Sequence, residues 1–224
     1  MIAEEYNKII AQTPELTDSK GKTISTILGC MKQAVLPFKK VCCQTDLHRP
    51  LNENALTQIY VEQIGFQIKS YPIGVSNQYS NIFLKPRGIP DFYFYEMEAG
   101  KTHKPLLVVE SKRLPAPPPK SREQEYVKGN SNNNGGIERY KTEKHGKGLD
   151  ECGMIGFVEK ETFAFWHKSI NAWISDLSVS SNFWQTDEHL ETVERKEDFM
   201  LLKSIAHRKS QKDIRLHHLW ITIQ

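Results

Sequence analysis

Three residues near the middle of the chain have the types and spacing for chemistry: Asp91, Glu110 and Lys112. Leu106 to Val109 is an apolar run that reads as a strand bound for a core, yet it continues directly into Glu110-Ser111-Lys112. Isolated charges in such a place are costly unless they are paired or bind a metal. Glu110 and Lys112 are two apart, so they share one face of an extended strand. If the strand that carries Asp91 pairs alongside, two carboxylates come close together, and they repel unless a cation lies between them. Oxygen ligands with no histidine or thiolate among them suit Mg²⁺ or Mn²⁺ rather than zinc. Lys112 could then meet a phosphate oxygen, or orient and help deprotonate an attacking water. Carboxylates, a divalent ion, a lysine and water together amount to phosphodiester hydrolysis. The plain alternative is an acid–lysine ion pair that closes a strand end, because so short a pattern also arises by chance.

The elements that must position these residues can be read around them. Asn52 is a helix N-cap and Gly65 a helix stop, with Leu56, Ile59, Tyr60 and Ile64 forming the apolar stripe between. Glu53 falls on that buried side near the helix start, whereas Glu62 faces the other way. Strands are predicted over Gly65–Tyr71, Asn81–Leu84, Ile89–Glu96 and Lys104–Lys112. Composition then shifts. Pro115-Ala-Pro-Pro-Pro119 cannot extend a strand, and Gly129 to Gly136 is polar and rich in asparagine, so residues 115–136 read as a flexible loop placed for substrate contact. A short polar helix over Ile137–Lys144, a strand over Cys152–Val158 and a helix carrying Phe163, Trp166, Ile170, Trp173, Ile174 and Leu177 follow. The chain closes on Phe199–Ala206 and Ile214–Ile223, a C-terminal hairpin. Residues 1–50 hold two helical patterns, one through Ile2, Tyr6, Ile9 and Ile10 and one through Ile24, Ile27, Leu28 and Met31, which read as an N-terminal arm, cap or dimerising segment. The order predicts an α/β domain over 51–224, with a mixed β-sheet flanked by helices on both sides.

Other chemistries lack their geometry. Gly21-Lys22-Thr23 has no preceding strand, and Leu16 stands where the first glycine of a phosphate loop belongs. No Gly-x-Ser-x-Gly or Gly-x-Gly-x-x-Gly is present, which removes serine-hydrolase and dinucleotide readings. His217 and His218 adjoin on a strand and so point to opposite faces, unsuited to one ion. The spacing of Cys30, Cys42, Cys43 and Cys152 suggests reduced thiols in a cytoplasmic protein. Nothing resembles a signal peptide or a membrane span. The net charge of +3 excludes a polybasic binder and leaves room for a local basic face.

Ile89-Pro90-Asp91 followed by Val109-Glu110-Ser111-Lys112 resembles the signature of the PD-(D/E)XK nuclease superfamily, the restriction-endonuclease-like fold. The resemblance covers roughly residues 51–175. It implies Asp91 and Glu110 as metal ligands, the Ser111 carbonyl as a third, Lys112 as the catalytic lysine and Glu53 as an auxiliary metal or water ligand. Where some branches of the family place a Gln and a Tyr on the following helix, this chain offers Glu138 and Tyr140. The implied activity is Mg²⁺- or Mn²⁺-dependent endonucleolytic hydrolysis of DNA, of a restriction or phage-defence type, leaving 5′-phosphate and 3′-hydroxyl ends. Cutting both strands would call for a homodimer. The same fold serving as a non-catalytic binding module, and repair, junction or RNA nucleases, are the alternatives. Lys120, Arg122 and Lys128 in the loop, with Lys203, Arg208, Lys209, Lys212 and Arg215 around the hairpin, are the candidate phosphate contacts.

Overall fold

The computed structural model describes residues 20–80, 88–100, 102–130, 134–208 and 212–223. The helical pattern at Ile2–Ile10 and the strand predicted over Asn81–Leu84 lie outside these residues. The elements run α1 (Lys20–Gln33), α2 (Val35–Cys42), α3 (Glu53–Gln67), β1 (Ile73–Asn77), β2 (Phe92–Glu96), β3 (Pro105–Leu114), α4 (Gly136–Lys141), β4 (Glu151–Val158), α5 (Phe163–Ser180), β5 (Glu191–Arg195), β6 (Phe199–Ala206) and β7 (Ile214–Thr222). Short 3₁₀ turns occupy Lys120–Arg122 and Thr186–Glu188. The seven strands form one mixed sheet in the order β1-β2-β3-β4-β7-β6-β5, in which β4 pairs parallel with both β3 and β7 and the outer pairs are antiparallel.

Two cores lie on the two faces. Strand side chains alternate between them: Val109, Ile155, Phe157 and Leu219 pack under α1–α3, while Val108, Met154, Val158, Leu216 and Trp220 pack under α4 and α5. The helices of residues 20–42 belong to the first core and are not a detached arm. Phe38 lies 5.4 Å from Tyr60 and 5.6 Å from Phe157, ring centre to ring centre.

Asn52 caps α3 as expected, its side chain accepting from the Ala55 N–H at 2.9 Å. The strand predicted from Gly65 is corrected: the helix runs on to Gln67, and β1 starts only at Ile73. Burial of Ile64 and Ile68 against the first core holds that extra turn, with the Ile68 N–H reaching the Ile64 carbonyl. β5 was not foreseen, because Glu191-Thr-Val-Glu-Arg195 is an exposed, charged edge strand with no apolar face to betray it.

The loop after β3 is tied down where a free loop was expected. Tyr126 and Val127 are buried in the second core, and the carbonyls of Glu125, Tyr126 and Val127 accept from the N–H groups of Gly136, Ile137 and Glu138. The Tyr126 hydroxyl joins a buried polar chain: it accepts from Trp220 Nε1 (2.8 Å) and meets His218 Nδ1 (2.9 Å), whose Nε2 meets the Ser204 hydroxyl (2.9 Å). Among the described residues no helix is long and apolar enough to cross a membrane. All four cysteines are free thiols.

Candidate metal and catalytic centre

The β2–β3 register pairs Phe92 with Val109, which sets Asp91 beside Glu110 at the mouth of the pair. Asp91 lies just before β2, and its Oδ2 accepts from the Ser111 N–H at 2.7 Å. Glu110 is fully buried, on the face it shares with Val108, and the period-two alternation puts Lys112 there too. Lys112 Nζ donates to Glu110 Oε1 (2.9 Å), to the Ser111 carbonyl (2.8 Å) and to Glu53 Oε1 (3.1 Å). Glu53 arrives from the first turn of α3, and its other oxygen accepts from the Arg113 N–H at 3.2 Å. One point therefore gathers a residue ahead of β2, three consecutive residues of β3 and the start of a helix from the opposite layer.

Two further residues complete the cluster. Arg139 on α4 donates to Glu110 Oε1, and His145 Nδ1 stands 3.3 Å from Glu110 Oε2. Neither was singled out from the sequence. The sequence points instead to Glu138 and Tyr140, which flank Arg139, and the structure engages both side chains in other bonds. Glu138 accepts from the N–H groups of Gly129 (3.0 Å) and Gly135 (3.2 Å), pinning the loop. Tyr140 is core, its hydroxyl donating to the Gly153 carbonyl at 2.8 Å. Of these three neighbours Arg139 is the one whose side chain bonds to Glu110.

The charges balance unevenly. Burial would push the Glu110 carboxyl up, but Lys112, His145 and Arg139 outweigh it and hold it down at about 2. Burial would lower Lys112, yet Glu110, Glu53 and Asp91 keep its ammonium above the ordinary range. Asp91 is left over: burial, and then Glu110, push its carboxyl up to about 7 against the pull of Lys112 and the Ser111 N–H. A cation added here has an acid waiting to ionise.

The basic candidates separate. Arg208 is no phosphate contact: it is buried, and its guanidinium donates to the carbonyls of Tyr140 (3.2 Å), Leu149 (3.2 Å) and Gly146 (2.9 Å). Lys203 pairs with Glu191 and Arg215 lies near Glu151, both cations more than half exposed. Lys212 is exposed, and Lys209 lies outside the described residues. The register sets Arg215 level with Glu151 and Lys112 level with Gly156, so Arg215, at the start of β7, lies toward the other end of the strands from Lys112. The loop cations begin at Lys120, beyond the proline run that follows Leu114. Lys120 and Lys128 line a cleft of about 420 Å³ with Ser121, Glu123, Gln124 and Asn130, and Arg122 pairs with Glu125. His217 and His218 do face apart, the first to Glu151 at 2.7 Å and the second into the core.

Among the described residues no three His, Cys, Asp or Glu side chains already ring a single point as metal ligands would. The donor set nonetheless fits a divalent ion. Glu110 Oε2 is buried without a hydrogen-bond partner, and the oxygens of Glu110, Ser111 and Glu53 already serve a cation, the Lys112 ammonium. No family model, curated protein or solved structure matches the chain.

Proposed function

We propose that this protein is a metal-dependent nuclease of the PD-(D/E)XK, restriction-endonuclease-like kind, hydrolysing phosphodiester bonds in DNA. The observation that carries the reading is the convergence of Asp91, Glu110, the Ser111 carbonyl and Lys112 at the β2–β3 mouth of a mixed sheet. Asp91, Glu110 and the Ser111 carbonyl would hold Mg²⁺ or Mn²⁺, with Glu53 at its side. Such an ion, when bound, polarises the phosphate and supplies an activated water. The Ser111 N–H fixes the Asp91 carboxylate, leaving its second oxygen for other work. Lys112 is a three-donor cation on a flexible stem, able to exchange carboxylate partners for a phosphate oxygen. Arg139, whose side chain is a quarter exposed, offers a second cation at the rim. Lys120 and Lys128 are the candidate contacts for flanking phosphates.

One feature favours a non-catalytic module of the same fold. Lys112 and Arg139 already neutralise Glu110 and Glu53 without a metal, which a purely structural network would also do. Plasmid and single-stranded DNA incubated with the protein and Mg²⁺ or Mn²⁺ separate the two. Cleavage is expected, abolished by EDTA and reduced about a thousandfold or more in Asp91→Asn and Lys112→Ala. Cleavage that survives EDTA or Lys112→Ala overturns the proposal. Metal-independent DNA binding without cleavage establishes the module.

A further inference from the structure

His145 is a buried imidazole whose Nδ1 has no hydrogen-bond partner, and it faces a carboxylate oxygen, Glu110 Oε2, that has none either. Buried polar atoms are bonded in the great majority of cases, whereas these two have only the charge contact with each other, through which His145 helps hold the Glu110 carboxyl down. Their separation of 3.3 Å lacks hydrogen-bond geometry. It does suit two donors on one ion, since ion–donor distances of about 2.1 Å place adjacent ligands about 3 Å apart.

The ring is held with some care. The His145 N–H donates to the Arg139 carbonyl at 3.1 Å, joining the two Glu110 contacts. Gly146 turns the chain at φ +65°, and a Cβ there would lie 2.5 Å from Cys152 Sγ, so the turn needs glycine. Gly88, three residues before Asp91, leaves room for the ring: a Cβ would come within 2.8 Å of Nε2. Tyr140 packs edge-on at 5.9 Å.

We infer that His145 is a metal ligand, binding through Nδ1 to the ion that Glu110 and Asp91 hold, and that it tunes the site toward first-row transition ions such as Mn²⁺ over Mg²⁺. Mn²⁺ shares the oxygen ligands of Mg²⁺ but, as the first member of the transition series, gains more from a nitrogen donor than Mg²⁺, which asks for oxygen alone. The inference rests on the metal centre proposed above and adds a nitrogen to a set that the sequence offered as oxygen alone.

The test uses the full chain without nucleic acid. Mn²⁺ is titrated by calorimetry, and the Mn²⁺ complex is examined by electron spin-echo spectroscopy for ¹⁴N coupling. One imidazole coupling is expected, lost in His145→Gln and also in Asp91→Asn, which ties the nitrogen to this site even if the histidine variant does not fold. Mn²⁺ affinity falls about tenfold or more in His145→Gln while Mg²⁺ affinity barely moves. Mn²⁺ that depends on Asp91 but shows no nitrogen coupling overturns this inference and leaves the nuclease proposal standing. No Mn²⁺ binding, or binding indifferent to Asp91→Asn, overturns both.

Discussion

Helix α4 touches two buried charge clusters, one on either side, and they are built differently. Arg139 reaches Glu110, while Lys141 reaches Glu188. The second cluster is closed. Lys141 and Glu188 have fully buried side chains; Glu188 also accepts from the backbone N–H groups of His207 and Gln185, both at 2.8 Å. The rings of Phe183 and Trp184 stand 4.8 Å from the Lys141 ammonium. The first cluster is open: Glu110 Oε2, Ser111 Oγ and His145 Nδ1 lack hydrogen-bond partners, Asp91 is pushed toward neutrality, and Arg139 reaches solvent. A structural ion pair offsets part of its desolvation with the bonds it makes, although burial still holds the Lys141 ammonium below its ordinary range. A cluster that leaves bonds empty keeps that capacity, which is what makes it the candidate site.

The largest effect should come from breaking the closed cluster. In Lys141→Ala, Glu188 loses its buried counter-charge, and about 3 to 5 kcal/mol of stability goes with it. Chemical denaturation should show the midpoint falling sharply, or the protein not folding, with or without metal. A loss below about 1 kcal/mol would mean that the pair is no lock and that the contrast with the Glu110 cluster is misdrawn.

The two clusters were also unequally legible in the sequence. Asp91, Glu110 and Lys112 stood out because charges interrupt an apolar strand, and period two then fixes which of them share a face. Glu53 followed from its place on a capped, periodic helix. Arg139 and His145 sit in a polar stretch, Gly136 to Gly146, where five of eleven residues are charged and nothing marks the one that turns inward. Lys141 and Glu188 are 47 positions apart and join only through tertiary packing. Arg208 misled for the opposite reason: it lies in a run of basic residues, and composition cannot tell a cation aimed at solvent from one bonded to three carbonyls.

Arg208 sharpens the comparison, because it braces the loop that bears His145 without touching Glu110. Arg208→Ala strands the carbonyls of Tyr140, Gly146 and Leu149, at a cost of roughly 2 to 3 kcal/mol. Unlike Lys141→Ala, it should also weaken Mn²⁺ binding, since the 140–149 segment is freed to shift. Calorimetry of both variants under folded conditions separates general destabilisation from damage to the site. Equal metal affinity in Arg208→Ala and the parent would remove Arg208 from the support of the centre.

The smallest effect is a cancellation over pH in the metal-free protein. Asp91 has its carboxyl raised from about 4 to about 7, so the folded state binds the proton more tightly. That contribution is complete below about pH 4 and is lost as pH rises toward 7. His218, buried and neutral between Tyr126 and Ser204, is lowered to about 3 by burial and then by His217. Its contribution is complete above the ordinary histidine range and is lost as pH falls from about 6.5 toward 3. Between about pH 4 and 6.5 the two slopes oppose each other, each roughly 1.4 kcal/mol per pH unit at most. Wild type should therefore be nearly flat across this window. Asp91→Asn should expose a fall in stability with acid, and wild type with saturating Mn²⁺ should lose the Asp91 slope in the same way. Asp91→Asn and wild-type profiles that coincide would show that the open cluster is not where the proton is held, and would close the gap between the two clusters on α4.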